Sequence, residues 1–333
     1  MKTERVDLVN IGLIFIALVL AYVLPFSSFL IAYAVLGPLH YLTEINWLHD
    51  RSYFTVKKYT WLAVAALVVF IITVPKLAAY IGIMSDGWSR DIMYFLDSLS
   101  NPLFILILWV AVVLILIPSA WQKVVLLIGV FFFVLAKMFP SYVVIVGAML
   151  PTVVHVYLFT ILFMLYGAAK AESVIGLAGA LMVLMVPLLI YLVDVDKSFY
   201  NISDWTKDDF VGAKFHMVNL ELAQLLGVAD GKSFFFYGKW ELKMQRFIAF
   251  AYIYHYLNWF SKTTIIGWHK GLIGKRIWLV ASLWSVFMLL FYLDYRLGFY
   301  SALGLSFLHV ILEFPLNVAS LKGIVVWVHG KLG

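Results

Sequence analysis

The sequence contains no cysteine among its 333 residues. This absence excludes disulfide bonds, thiolate metal sites and cysteine nucleophiles. Charged residues are also scarce, at 13% of the chain, whereas hydrophobic residues make up 64% and the mean hydropathy is +0.99. A water-soluble core cannot use so much apolar surface, so the composition indicates an integral membrane protein whose chemistry must rely on His, Asp, Glu, Asn and Tyr.

Long apolar runs are what the sequence has in abundance. A helix needs roughly 20 apolar residues to cross a bilayer, and ten stretches come close to that length. The sequence therefore predicts an all-α fold, a polytopic integral membrane helical bundle of about ten transmembrane helices that forms a single transmembrane domain over residues 1–333. The predicted spans are 7–24, 27–49, 59–83, 101–118, 122–137, 141–168, 173–193, 245–264, 276–295 and 298–320.

The basic residues of the short loops set the expected orientation. The start of the chain, MKTERVDLVNIGLIFIALVLAYVLP, resembles a signal peptide, but no small-x-small cleavage site follows, so we interpret it as a retained first span. A cytoplasmic N-terminus places the basic residues of the short loops on the cytoplasmic side, as the positive-inside rule requires. We therefore expect both termini in the cytoplasm of a bacterium, with the protein in the inner membrane. The net charge of +6 then needs no nucleic-acid partner.

One long polar segment, residues 194–244, interrupts the series of spans and is predicted to be an extracytoplasmic insertion. Phe215, Val218, Leu222 and Leu225 follow one another there at helical spacing. This spacing predicts an amphipathic helix that lies on the membrane surface.

Four of the predicted spans that run toward the cytoplasm carry a histidine away from the span ends. The histidines are His40, His155, His255 and His309, and the next basic residue follows 11, 15, 7 and 13 positions later, at Arg51, Lys170, Lys262 and Lys322. At about 1.5 Å per residue, these offsets span only about 12 Å in depth. The four imidazoles can therefore meet in one layer of the bundle.

Two of these histidines are followed one turn later by a glutamate, in the patterns His40-x-x-x-Glu44 and His309-x-x-x-Glu313. Residues four apart share a helix face, so each pair can offer a nitrogen and an oxygen to one centre. Inward-facing Glu and His residues hold two irons in di-metal helical bundles in a similar way. Asn258, three residues after His255, adds a polar group among or next to the predicted metal ligands. The predicted metal ligands are His40, Glu44, His155, His255, His309 and Glu313.

A plainer explanation exists for each histidine alone. A single buried histidine in a membrane helix is more often an interhelical hydrogen-bond partner than a metal ligand. Four at similar depth favour a metal site, because ionisable residues inside a membrane usually mark function. His49 and His269 lie at the predicted cytoplasmic rim, where solvation explains them and additional metal ligation is the alternative. His216 and His329 are expected to be solvated.

Imidazole and carboxylate ligands without thiolate suit iron, manganese or zinc. A pocket within the membrane should take an apolar substrate. We therefore predict a non-haem iron oxygenase, hydroxylase or desaturase with one or two iron ions, which acts on a lipid or isoprenoid and uses O2 and an electron donor. No catalytic residue is assigned beyond the metal centre.

The pattern of spans and isolated intramembrane histidines resembles the Brp/Blh type of bacterial and archaeal carotenoid-cleaving oxygenase. The resemblance extends over most of the chain and implies iron held by histidines and a carotenoid substrate. The segments HYLTEINWLHD, from His40, and HVILEFPLN, from His309, differ from that family, so no catalytic residue is carried over. The clustered histidine boxes of membrane fatty-acid desaturases and alkane hydroxylases are absent from the sequence, where the nearest pattern is HxxxE.

Three other classes compete with this prediction. A proton- or ion-coupled transporter also places His and Glu inside the membrane, although no duplication of the sequence supports it. A haem-binding electron carrier would use pairs of histidines as axial ligands, which leaves the glutamates unexplained. A zinc-dependent intramembrane hydrolase is the third, and the sequence contains no HExxH motif.

Overall fold

The computed structural model describes residues 2–55, 57–82, 87–136 and 145–332. These residues form helices joined by short connections, with no β-strand in the described part of the chain. The first helices are α1 (Lys2–Val23), α2 (Pro25–Asp50), α3 (Lys58–Tyr80), α4 (Trp88–Leu116) and α5 (Ser119–Ala136). A π-helix (Ile145–Phe159) then continues directly into α6 (Thr160–Ala171), followed by α7 (Val174–Leu192), α8 (Asp204–Gly212) and α9 (Phe215–Leu225). The remaining helices are α10 (Lys239–Ser261), α11 (Thr263–Ile266), α12 (Lys275–Leu293) and α13 (Tyr295–Leu332).

Eight of the described helices are long and apolar enough to cross a membrane. Each of the ten predicted spans overlaps a described helix, so an all-α, multi-pass membrane protein is confirmed. The other two helices are α5, whose apolar part is shorter, and α10, whose many polar residues keep its hydropathy below that of the eight. Residues 83, 137 and 141–144 of these predicted spans lie outside the described residues. The boundaries differ most at α4, which begins at Trp88, and at α13, which continues to Leu332.

The chain is organised as two compact units. The first comprises Met1–His40, Ala148–Lys270 and Ile324–Gly333, and the second comprises Tyr41–Gly147 and Gly271–Gly323. Helices α2 and α13 contribute residues to both units.

Helix α10 lies at the centre of the first unit, where it packs against α1, α7 and α9. Fifteen of its 23 residues are buried, including the polar side chains of Gln245, Arg246 and Asn258. Because those side chains are enclosed by protein rather than lipid, the helix tolerates groups that a lipid-facing helix excludes.

The predicted insertion contains helices α8 and α9. Phe210 at the end of α8 meets Phe26 of α2 with ring centroids 5.0 Å apart, and Phe215 meets Phe29 at 4.8 Å, both edge to face. On α9, Leu222 is buried whereas Leu225 is 48% exposed. Aromatic packing therefore holds this segment against the first turns of α2.

In the second unit, α3 packs against α4, and α4 packs against α5. Rings of α4 and α13 also meet edge to face, between Phe104 and Phe307 and between Phe104 and Phe314. Helix α12 buries only Val280 and Phe291 of its 19 residues within the protein. An apolar helix with so little protein around it is suited to contact with lipid tails.

Three helical segments contain an interior proline close to a histidine. Pro38 lies within α2, Pro151 within the π-helix and Pro315 within α13. Proline removes one backbone donor and frees a carbonyl, which is tolerated inside a membrane protein where neighbouring groups satisfy it. The π-helix is itself an uncommon element that is frequently found at functional sites.

Candidate metal centre

His40 of α2 and His255 of α10 face each other in the first unit. Their Nε2 atoms are 3.0 Å apart, and the residues are 1% and 8% exposed. Two nitrogen ligands at adjacent positions of an octahedral ion, each about 2.1 Å from the metal, are about 3.0 Å apart. The spacing therefore suits either a hydrogen bond between the rings or one ion shared by them.

A hydroxyl group fixes the tautomer of His255. The Thr160 hydroxyl donates to the Val156 carbonyl at 2.7 Å and lies 2.7 Å from Nδ1 of His255. Because a hydroxyl has one proton, Thr160 must accept from Nδ1–H, which leaves Nε2 of neutral His255 with its lone pair toward His40. Metal-binding histidines usually have such a second partner, which orients the ring.

His155 is the third imidazole of this group, which we call the histidine group: His40, His155 and His255. It lies in the π-helix, is 2% exposed, and its ring centroid is 5.4 Å from that of His255. Tyr256 and Trp259 flank His40 with ring centroids 5.3 and 5.4 Å away. His40 and His255 belong to a set of buried histidines that could hold a metal ion.

The second unit contains a pair of carboxyl groups, which we call the carboxyl pair. Glu44 of α2 and Glu313 of α13 are hydrogen-bonded to each other and are 1% and 3% exposed. Two buried carboxyl groups can remain so close only if a proton or a cation reduces their repulsion. His309 of α13 lies in the same unit and stacks on Tyr41 with ring centroids 4.3 Å apart.

Helices α2 and α13 each contain one imidazole and one carboxyl group that could serve as metal ligands. His40 and Glu44 are one turn apart on α2, and His309 and Glu313 are one turn apart on α13. Residues four apart share a helix face and are displaced by about 6 Å along the axis. Each helix therefore presents an imidazole and a carboxyl group on one face, with the chemistry that iron, manganese or zinc accepts.

The structure places the three additional candidates differently. Asn258 is buried, and its side-chain oxygen has no hydrogen-bond partner among the described residues. The Nδ1 atom of His49 lies 2.7 Å from the Tyr53 hydroxyl, which occupies this ring nitrogen. His269 is exposed, with its Nδ1 3.1 Å from the Thr263 carbonyl.

Two further residues of these groups were not singled out from the sequence. Thr160 contacts His255 from a position five residues after His155, and Tyr41 stacks on His309 from a position adjacent to His40. The sequence marks Thr160 only as a polar residue in an apolar run, and it marks Tyr41 only as one of 19 tyrosines. Neither pattern indicates which histidine the residue contacts.

The chain was also compared with known proteins. Neither a protein-family model, nor a curated protein, nor a solved structure matches it.

Proposed function

We propose that the protein is a membrane-embedded, metal-dependent oxidoreductase with non-haem iron as its metal and a lipid or isoprenoid as its substrate. The approach of two buried imidazole nitrogens to 3.0 Å, with Thr160 orienting one ring, supports this proposal most directly. Buried imidazoles in an apolar protein need either a polar partner or a cation.

The proposed ligands are the histidine group of the first unit together with the carboxyl pair and His309 of the second. His40 and Glu44 share one face of α2, so this face offers both kinds of donor. Iron tolerates this mixture of imidazole and carboxylate, and two carboxylates can bridge two ions in helical-bundle sites. Manganese and zinc accept the same donors. The proposed ligands are His40, Glu44, His155, His255, His309 and Glu313.

When bound, non-haem iron with an open position supplies O2 activation for an oxygenase, a hydroxylase or a desaturase. The residues of the chain hold the donors in place and limit access by water. Thr160 accepts a hydrogen bond from Nδ1–H of His255 and so keeps the lone pair on Nε2. The rings of Tyr256 and Trp259 form apolar walls beside His40. Such walls favour an apolar substrate that enters from the membrane.

A proton-coupled transporter is the second candidate, because the carboxyl pair can hold a proton between Glu44 and Glu313. A haem carrier is disfavoured by the geometry of the histidine group. Axial nitrogens on opposite faces of a haem iron are about 4 Å apart with the macrocycle between them. The His40 and His255 nitrogens are closer than that and face each other directly.

The test is elemental analysis of protein purified in detergent without chelators. We expect stoichiometric iron or manganese in the wild type and a nearly complete loss of it in His40→Ala and in His255→Ala. His329→Ala is the matched control, because His329 is exposed and its Nδ1 lies 2.8 Å from the Val325 carbonyl of its own helix. Wild-type protein without a transition metal would refute the oxygenase proposal and leave the transporter.

The proposed orientation, with both termini in the cytoplasm of a bacterium, rests on the basic short loops. A reporter active only in the cytoplasm should be active at either terminus and inactive when it replaces part of the loop after Gly227. Activity at that loop would reverse the orientation.

A further inference from the structure

Three cations lie on one face of helix α10, at its first two turns. Lys239, Lys243 and Arg246 follow at spacings of four and three residues, which places them on one side of a helix. Their exposure decreases along the helix, from 64% of the Lys239 side chain to 5% of the Lys243 side chain and 1% of Arg246. We call these three residues the cation row.

The guanidinium of Arg246 is enclosed by aromatic rings. It lies 5.1 Å from the centroid of Tyr22 and 5.4 Å from that of Tyr200, within the range of cation–π contact. Its Nε donates to the Tyr200 hydroxyl at 3.0 Å, and that hydroxyl donates to the Tyr22 carbonyl at 2.9 Å. Within the described part of the chain, Arg246 has no carboxylate partner and no second hydrogen bond. The two outer nitrogens of this buried guanidinium therefore have no hydrogen-bond acceptor among the described residues.

In the described part of the chain, one carboxylate, that of Asp194, pairs with the cation row. Asp194 accepts from Lys243 at 2.7 Å and from Lys239 at 3.2 Å, and hydrogen bonds from these two lysines hold the pKa of Asp194 below its usual range. Glu241 lies on the opposite side of α10, two residues after Lys239. Three cations against one carboxylate leave a surplus of two positive charges among these residues.

The cation row lies where helices of the first unit begin and end. Tyr22 is next to the last residue of α1, and Tyr191 is next to the last residue of α7. Lys243 donates to the Tyr191 carbonyl, and its ammonium lies 5.8 Å from the ring of Trp240. Aromatic residues at span ends mark the headgroup level of a membrane, where lipid oxyanions are concentrated.

We propose that the cation row binds the oxyanion head of a membrane amphiphile, whose phosphate or carboxylate oxygens contact Arg246 and Lys243. The planar fork of arginine matches both kinds of oxyanion, and a ligand charge offsets the surplus that the protein leaves unbalanced. The tail has an apolar path along α7, where Leu184, Leu188 and Leu192 are 51%, 47% and 67% exposed. His255 lies nine residues further along α10, about 13 Å away along the axis, so this site does not depend on the proposed metal centre.

Native mass spectrometry of the full chain in neutral detergent tests the proposal, with phosphatidylglycerol, oleate, phosphatidylcholine and inorganic phosphate as separate probes. We expect phosphatidylglycerol or oleate to bind, and the tighter of the two identifies the head as phosphate or carboxylate. Arg246→Gln should weaken that binding about tenfold or more, since it removes a charged hydrogen-bonding fork. Equal retention of phosphatidylcholine, or binding of inorganic phosphate as tight as that of either amphiphile, would overturn the proposal.

Two variants keep the test decisive if Arg246→Gln does not fold. Lys239→Gln changes a side chain that is 64% exposed, so folding is not at risk, and it should weaken binding by a smaller factor. Lys232→Gln is the matched control, because Lys232 is an exposed lysine of the same insertion outside the cation row. Unchanged affinity in Lys239→Gln, or an equal loss in Lys232→Gln, would refute a specific site.

Discussion

Helices α10 and α12 differ in how far they are buried within the protein, and hydropathy alone predicts the opposite order. Helix α12 is long and apolar enough to be a membrane span, yet only two of its 19 residues are buried in protein. Helix α10 fails that criterion because of its polar residues, yet 15 of its 23 residues are buried. In this molecule the more polar helix forms the interior, and the more apolar helix is exposed for lipid.

The difference follows from what surrounds each helix. Lipid tails offer no hydrogen bonds, so a helix that faces them must be apolar throughout. A helix enclosed by other helices can contain Gln245, whose amide donates to the Pro25 carbonyl at 2.9 Å and accepts from Asn219 at 3.1 Å. The buried polar side chains of α10 therefore lie in a helix that hydropathy ranks below the membrane spans.

The largest expected effect comes from removing one charge in the polar interior. Glu44→Gln keeps the size of the side chain and most of its hydrogen bonding, but it removes the negative charge that offsets a bound cation. We expect bound iron or manganese to decrease strongly and turnover to disappear, while the protein still elutes as a folded species. Glu313→Gln should do the same.

Metal analysis and size-exclusion chromatography of the purified variants measure both outcomes. A transporter predicts a different result, in which metal is absent from every variant and only the pH dependence of flux changes. Full metal content in both glutamine variants would remove the carboxyl pair from the ligand set.

A smaller effect is expected at the residue that orients His255. Thr160→Val keeps the shape of the side chain but leaves Nδ1–H of His255 without its acceptor. Loss of such a partner typically lowers metal affinity about 10–100-fold. Competition with a chelator of known affinity measures the change, and Thr160→Ser, which retains the hydroxyl, should restore most of the affinity. Equal affinity in the valine and serine variants would show that the hydroxyl does not act on the metal centre.

A matched pair of substitutions compares the two helices directly. Ile253 of α10 is 2% exposed, whereas Ile277 of α12 is 47% exposed. Ile253→Ala should lower the free energy of unfolding by about 1–3 kcal/mol, because a cavity remains in packed protein. Ile277→Ala should change it by less than about 0.5 kcal/mol, since lipid or detergent fills the space. Unfolding in mixed micelles measures both, and equal losses would contradict the assignment of α12 to the lipid-facing surface.

The smallest expected effect depends on pH and concerns Asp194, the carboxylate that pairs with the lysines of the cation row. Hydrogen bonds from Lys243 and Lys239 lower the pKa of Asp194. A carboxyl group whose pKa is depressed in the folded protein stabilises the fold above its unfolded pKa of about 3.9 and loses that contribution as the pH falls through the folded value. Wild type should therefore exceed Asp194→Asn in thermal stability at pH 7, and the two should converge below about pH 4. A constant difference across this range would exclude the ion pairs as its cause.

The sequence predicts the all-α fold and the place of most spans because the length of an apolar run reports directly on the bilayer. Eight described helices are long and apolar enough to span a membrane, where the sequence predicts about ten spans. The sequence does not reveal the π-helix at Ile145–Phe159, because a change from i→i+4 to i→i+5 hydrogen bonding does not alter the hydropathy of the segment. It also does not reveal which helix is central, because burial within protein depends on packing partners far away in the chain.

The candidate site is only partly readable from the sequence. Counting residues from the basic loops indicates a common depth for His40, His155 and His255, and the structure brings these three together. Depth says nothing about rotation, so neither the contact of Thr160 with His255 nor the pairing of Glu44 with Glu313 could be derived. The inclusion of all six residues in one metal site stays a prediction.

The separation of His40 from His255 in the chain has a consequence for biosynthesis. The two rings meet across 215 residues. At about 5–20 residues per second, a ribosome needs roughly 10–40 s to add that length. During that interval α2 is already made and exposes an ionisable face for which its later partner does not yet exist. Until α10 is made, water or another part of the chain has to solvate the imidazole of His40, because a polar group without a hydrogen-bond partner is costly in lipid.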